Sequence, residues 1–151
     1  MANQVEHKLQ DKLLTALQKE RFVLLATTDY ELGSPNVSAI SWVYAPDSEH
    51  VRFAVNTSSR IVENIKAHAG VVLNVIIDGS SYSIAGEARF ITERMEGIPL
   101  KLAFMEVDIQ EVRDVMFYGA QISEEPKYDK TYDLDAAAKL DRQVMGALKE
   151  A

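Results

Sequence analysis

The sequence contains no cysteine, no excess of basic residues and no long apolar run. Without cysteine the chain can form no disulfide, no thiolate metal site and no cysteine nucleophile. Its 16 basic and 23 acidic residues give a net charge of −7, which opposes attraction to nucleic-acid phosphates or anionic membranes. No stretch approaches the roughly 20 apolar residues that span a bilayer, and the N-terminus has no signal-peptide pattern. We therefore expect a cytoplasmic protein with no nucleic-acid or membrane partner.

Recognisable catalytic and metal-binding motifs are also missing. Gly-rich nucleotide loops, the nucleophile motif GxSxG and the zinc motif HExxH do not occur. The three histidines, His7, His50 and His68, fall in a predicted helix, a turn and a helix end, and they show no metal-ligand spacing. The acidic pairs near the C-terminus have no apolar surroundings that would make one of them a general acid. The sequence therefore identifies no catalytic residue and predicts no metal site.

Hydrophobic periodicity divides the chain into helices and short strands. Helical spacing predicts an N-terminal helix at about 4–19 and a C-terminal helix at about 134–149. A short helix from Arg60 to His68 is predicted between the third and fourth strands. Alternating segments separated by turn residues predict six strands, at 21–28, 36–44, 51–55, 71–77, 82–92 and 102–119. Strands this close together favour an antiparallel barrel or sandwich, so we expect residues 1–151 to form one mainly β domain with flanking helices.

Four small polar residues and an arginine, "NTSSR" at 56–60, stand between the third strand and the short helix. Ser58 or Ser59 can cap the helix, with Arg60 directed to solvent. The same residues can also bind a phosphate, because a helix N-terminus presents unpaired N–H groups and a positive dipole end, and Arg60 adds a charge. Local chemistry leaves the cap and the phosphate site equally supported.

The order of these parts resembles a known family. The segments "RFVLLATT", "SPNVSAISWVYAPDSEHVRFAVNTSSRIVENIKAHAGVVLNVII" and "YSIAGEARF", within residues 8–92, resemble the pyridoxamine 5′-phosphate oxidase-like family of flavin-binding split barrels. The most specific part is Ser59 followed by Arg60, with Asn64 four residues later and the branched apolar strand 71–77 after it.

This resemblance implies a six-stranded Greek-key split barrel that forms a homodimer, with flavin mononucleotide (FMN) held between the subunits. By the same resemblance, the phosphate is gripped where the third strand meets its helix, and the flavin ring lies along the second strand. The residues that the resemblance assigns to the phosphate are Asn56, Thr57, Ser58, Ser59, Arg60 and Asn64. Those that it assigns to the ring are Ser38, Ala39, Ile40 and Ser41.

Two departures from the family pattern narrow the expected function. Many members have a lysine directly after the arginine, where this chain has Ile61. The oxidase itself carries an Arg-x-His signature near its C-terminus, and here Arg142 is followed by no such histidine. We therefore expect an FMN-dependent oxidoreductase that does not oxidise pyridoxamine phosphate. The alternative is a flavin carrier or ligand sensor without catalytic activity. The family also includes haem-linked and deazaflavin-dependent members, and no motif here indicates either.

Overall fold

The computed structural model describes residues 5–151, which fold into an antiparallel β-sheet with flanking helices. Its elements in chain order are β1 (Val5–Glu6), α1 (Asp11–Ala16), β2 (Val23–Thr28), β3 (Pro35–Ile40), β4 (Val43–Asp47), β5 (His50–Asn56), α2 (Arg60–Ala67), β6 (Gly70–Ile77), β7 (Ser80–Thr92), β8 (Leu102–Asp114) and α3 (Leu134–Glu150). The strand order is β3-β2-β6-β7-β8-β5-β4, and β1 pairs with β8. All of these pairs are antiparallel. The mainly β fold class predicted from the sequence is confirmed.

The strand predicted at 36–44 is in fact two strands, and Val5–Glu6 forms a further one, so the described part of the chain has eight strands rather than the predicted six. β3 pairs with β2, whereas β4 pairs with β5. Between them the N–H of Val43 donates to the carbonyl of Ser41 at 3.0 Å, which closes a narrow three-residue turn. This break carries the chain from one edge of the sheet to the other. Side-chain alternation runs on through the break, and the sequence pattern therefore did not reveal it.

The N-terminal helix predicted at 4–19 is much shorter in the structure. α1 spans only Asp11–Ala16, and position 4 lies outside the described residues. Val5 and Glu6 instead pair as a strand with β8, and the N–H of Leu9 donates to the carbonyl of Ser48 at 2.8 Å. Pairing with the sheet therefore overrides a helical pattern, as tertiary contacts often do with weak local propensity. The C-terminal helix agrees with its prediction to within one residue.

β7 and β8 are long and irregular in register. Their pairing shifts between Ala85 and Gly86, and again between Phe90 and Thr92, as expected for bulged strands. Gly86 lies so close to β8 that an added Cβ would come within 2.2 Å of the carbonyl oxygen of Asp108. A glycine within a strand is typical of such a close backbone approach. β8 ends at Asp114, before the predicted limit of 119.

Apolar residues form two cores on opposite faces of β8. The larger core is enclosed by the sheet and includes the buried side chains of Leu25, Phe53 and Ile84. The smaller one lies under α3, where Phe104 and Leu148 are completely buried. Since both of its faces are covered, β8 is buried at six successive positions from Leu102 onward. No helix within residues 5–151 has the length and apolar character of a membrane span.

Candidate functional site

An open cleft of about 490 Å³ lies between β3, the end of β5 and the start of α2. A volume of this size is within the range of small-molecule sites. The segment before α3 forms the remaining wall. The lining residues are Phe22, Ser38, Ala39, Ile40, Ser41, Trp42, Ala54, Val55, Asn56, Ser59, Ile61, Tyr128 and Lys130.

Six of the ten residues that the resemblance assigned to a cofactor line this one cleft. They come from two segments that are separated in sequence and brought together by the fold, namely Ser38, Ala39, Ile40, Ser41, Asn56 and Ser59. The other four lie around the N-terminus of α2 without forming part of the cleft wall: Thr57, Ser58, Arg60 and Asn64. The segments that the resemblance assigned to the ring and to the phosphate are therefore neighbours, and contact of any of the ten residues with a cofactor stays a prediction.

The N-terminus of α2 is capped as the simpler interpretation of the polar run predicted. The Oγ of Ser59 accepts a hydrogen bond from the N–H of Ile61 at 3.1 Å. The side-chain oxygen of Asn56 accepts from the N–H and the hydroxyl of Ser58, at 2.9 and 2.7 Å. These bonds use acceptor atoms, so the hydroxyl hydrogen of Ser59 and the amide hydrogens of Asn56 can donate to a ligand. Capping and anion binding are therefore compatible here.

Arg60 is anchored by an aspartate that the sequence analysis did not single out. Its Nε–H donates to Oδ1 of Asp29 at 2.6 Å, and its guanidinium lies 4.8 Å from the ring centroid of Tyr30. The hydrogen bond from Arg60, together with the backbone N–H of Leu32, lowers the pKa of Asp29 to about 2. Asp29 thus stays ionised and fixes the direction of the arginine. The only sequence signal was an aspartate that opens a turn, which usually marks local backbone bonding.

Asn64 is buried and makes three hydrogen bonds within the fold. Its side-chain oxygen accepts from the N–H of Tyr30 at 2.9 Å. Its amide nitrogen donates to Thr27 at 2.9 Å and to Asn36 at 2.8 Å. With only 1% of its surface exposed, it joins α2 to the β2–β3 hairpin. This position fixes the first turns of α2 against the hairpin.

The far wall of the cleft contains a lysine and a tyrosine that sequence reasoning missed. Lys130 contacts two carboxylates: its Nζ lies 2.6 Å from Glu20 and 3.1 Å from Asp141. Burial lowers the pKa of Lys130, but the hydrogen bonds to these carboxylates outweigh that effect and raise it above its ordinary value. Tyr128 lies beneath the ammonium, 5.4 Å from it to the ring centroid. The polar residues before α3 show no sequence pattern that connects them with positions 20 or 141.

Within residues 5–151, one group of side chains has metal-ligand geometry: His50, Glu106 and Asp108, whose ligand atoms lie within 4.8 Å of one another. β5 and β8 pair so that His50 stands opposite Asp108. Both carboxylate oxygens of Glu106 are already held, one by Arg52 and one by Arg89. Two guanidinium groups beside the cluster oppose a cation, so we assign no metal to it.

Comparison with known proteins connects the chain with one family. The family model described as pyridoxamine 5′-phosphate oxidase matches residues 9–116. None of the curated proteins matches the sequence.

The solved structures that share the fold include three differently named proteins. A Lactobacillus delbrueckii protein with a provisional pyridoxamine 5′-phosphate oxidase name has a TM-score of 0.62 at 22% identity, over 74% of this chain and 98% of its own. An F420 reductase has a TM-score of 0.57 at 20% identity, over 69% and 98%. HutZ, named as a heme storage protein of Vibrio cholerae, has a TM-score of 0.54 at 14% identity, over 71% and 94%. At these identities the likeness extends to the fold alone.

Proposed function

The chain belongs to the pyridoxamine 5′-phosphate oxidase family, and on that premise we propose that it binds FMN in the cleft between β3 and α2. The observation that carries the proposal is the convergence of two separate segments. Ser38–Ser41 and the pair Asn56 and Ser59 line the same cleft, as a ligand with a flat ring at one end and a phosphate at the other requires.

The phosphate end of the cleft offers donors rather than a preformed cluster of charges. Ser59 and Asn56 supply a hydroxyl and an amide, and α2 adds the partial positive charge of its N-terminus. Arg60 lies next to them, with half of its side chain exposed and its Nε held by Asp29. Its Nη2 lies 3.6 Å from the exposed Glu31, and the remaining N–H donors of the guanidinium can bind a phosphate.

The ring wall is formed by small side chains and backbone. Ser38, Ala39 and Ser41 leave the strand open to close approach by a flat ring, and Ile40 supplies an apolar surface. When bound, the flavin supplies hydride or electron transfer, while the protein supplies binding, orientation and electrostatics. The function we propose is therefore that of an FMN-dependent oxidoreductase.

A non-catalytic flavin carrier or ligand sensor is the second candidate, and one observation favours it. Among the described residues, the only titratable side chains that line the cleft are Tyr128 and Lys130. Lys130 is held protonated by its carboxylate partners, so it is a poor proton donor at neutral pH. A reaction that needs an acid or base from the protein is therefore less well supported than direct hydride or electron transfer.

The cleft residues suit a flavin better than a haem. Axial ligands of haem iron are most often His, Cys, Met or Tyr side chains. Among residues 5–151, the cleft wall includes no histidine, cysteine or methionine, which leaves Tyr128 as the one candidate ligand. The heme storage protein is similar in fold only, and its ligand gives no reason to replace FMN here.

We also propose that the functional unit is a homodimer with the cleft at the interface between subunits. β3 is an edge strand, and the β2–β3 hairpin exposes three large apolar side chains, Tyr30, Leu32 and Val37. A second copy would cover both the strand edge and these side chains. Light scattering of Val37→Asp, which alters an exposed residue, should show monomers that bind FMN more weakly. A monomeric, flavin-loaded parent protein would contradict the dimer.

The experiment that tests the function uses the purified protein. Mass spectrometry of the co-purifying small molecule should identify FMN, and the yellow colour should bleach when a nicotinamide cofactor is added. Yellow protein that no physiological reductant bleaches would support the carrier. Colourless protein that refuses added FMN would reject the proposal. The cytoplasmic location is retained as a prediction, to be checked by cell fractionation.

A further inference from the structure

The cleft contains a charged group from a part of the chain beyond the family match. The match ends at residue 116, whereas Lys130 lies in the segment that leads into α3. Lys130 is the one lysine or arginine among the described residues that line the cleft. The segment is fastened beside the cleft by an ion pair of Arg21 with Glu125 and by a 2.7 Å hydrogen bond from the N–H of Ile122 to Gly79.

Lys130 lies at the end of the cleft away from α2. Asp141 accepts hydrogen bonds from both Lys130 and the indole N–H of Trp42, the latter at 2.8 Å. The carbonyl of Trp42 in turn accepts from the N–H of Ala54 at 3.1 Å. Asn56 follows two residues later on β5, roughly 7 Å further along an extended strand. Lys130 and Asn56 therefore lie toward opposite ends of the cleft.

The two ends of the cleft favour different parts of a ligand because of the helix and not because of the side-chain charges. Lys130 contacts Glu20 and Asp141, just as Arg60 contacts Asp29 and Glu31, so each cation has two carboxylate partners. The N-terminus of α2 adds unpaired N–H groups and a partial positive charge at its own end, which attract a phosphate there. An ammonium has three N–H donors; two contact the carboxylates, and the third can donate to a neutral acceptor such as a carbonyl oxygen. Because the carboxylates hold the lysine in place, little side-chain entropy is lost when it binds.

We propose that Lys130 binds the carbonyl-bearing edge of the flavin ring, and that the segment before α3 thereby sets the orientation of the ligand, with its phosphate at Asn56 and Ser59. This inference rests on the proposed function and adds a ring-specific contact to it. Lys130 is then a specificity-determining residue that favours ligands with a hydrogen-bond acceptor on a flat ring.

Comparing FMN with riboflavin, which has the same ring but no phosphate, separates the two ends. Lys130→Met should weaken binding of FMN and riboflavin by the same factor, roughly tenfold or more for a lost hydrogen bond to a charged group. Ser59→Ala should weaken FMN alone. Lys130→Arg should restore most of the affinity. Lys127→Met is the matched control, because Lys127 is an exposed lysine of the same segment that does not line this cleft. Fluorescence titration measures all of these affinities.

A second measurement distinguishes ligand contact from a role in folding. Removal of a positive charge beside the ring should shift the midpoint potential of the bound flavin to a more negative value, which a purely structural lysine would leave unchanged. If Lys130→Met does not fold, Lys130→Gln is used in its place, because glutamine keeps an N–H donor for the two carboxylates. Two results would overturn this inference but leave the proposed function intact, provided that the parent protein binds flavin. In one, the Lys130 variants keep the parent's affinities for both FMN and riboflavin. In the other, they lose affinity for FMN only. A parent that binds no flavin would overturn the proposed function as well.

Discussion

The Nε–H of Arg60 donates to a carboxylate oxygen of Asp29 at 2.6 Å, which joins the first turn of α2 to the end of β2. Asp29 is almost completely buried, and half of the Arg60 side chain is exposed. The pair therefore fixes the inner edge of the guanidinium, and its Nη2 lies 3.6 Å from the exposed carboxylate of Glu31. This is the arrangement expected of an arginine that is oriented before a ligand arrives.

Replacing Arg60 by alanine should weaken FMN binding roughly ten- to hundredfold, because a charge-assisted bond to the phosphate is lost. Riboflavin affinity should not change. Titration of flavin fluorescence compares the two ligands, and Arg94→Ala, which removes an exposed arginine outside the cleft, is the matched control. Equal FMN affinities of Arg60→Ala and the parent would remove Arg60 from the site.

The ion pair of Asp29 should make stability depend on pH in acid. The pKa of Asp29 is about 2 in the folded protein and about 3.9 in an unfolded chain. A lowered folded-state pKa stabilises the protein above pH 4, and the contribution disappears as the pH falls toward 2. Urea unfolding of the parent and of Asp29→Asn should therefore show a stability difference that is constant above pH 4 and shrinks below it. A difference that persists unchanged at pH 2 would show that ionisation of Asp29 is irrelevant.

Asn64→Ala should destabilise the fold by about 2 kcal/mol or more, since it leaves the N–H of Tyr30 and the side chains of Thr27 and Asn36 without their partner. Chemical denaturation measures this loss. Asn74→Ala is a comparison at a less buried asparagine, which donates to Ser81 and the carbonyl of Tyr82 and should cost less. An unchanged free energy of unfolding in Asn64→Ala would contradict the supporting role given to Asn64.

Gly86→Ala should destabilise the protein by roughly 1–3 kcal/mol, because the new methyl group would overlap the carbonyl oxygen of Asp108. The control is Gly146→Ala within α3, where an added Cβ has no neighbour within 4 Å. That change should stabilise the helix by about 0.5–1 kcal/mol. Thermal unfolding compares the two variants. A Gly86→Ala protein as stable as its parent would show that β7 and β8 can separate at the bulge without cost.

Local patterns in the sequence correctly predicted those elements whose apolar face packs against the rest of the fold as the pattern implies. The apolar stripe of α3 packs into the smaller core, and the helix begins and ends within one residue of the prediction. The prediction of a helix at 4–19 was wrong at its start because residues 5 and 6 pair with a strand more than 100 residues away. The break after Ile40 was missed for a related reason, since it depends on which strand each half pairs with.

The candidate site shows the same division between local and long-range information. The cap at Ser59 follows from its own segment and was predicted. Asp29, Tyr128 and Lys130 reach the site only through contacts between distant parts of the chain. A single sequence contains no periodic signal for such contacts, so that one wall of the cleft became visible only in the structure.

A crystal structure of the protein grown with excess FMN tests the central claim most directly. The account predicts one FMN per chain in the cleft between β3 and α2, with its phosphate against Asn56 and Ser59 and its ring along residues 38–41. Density for FMN elsewhere, or an empty cleft at saturating FMN, would contradict it.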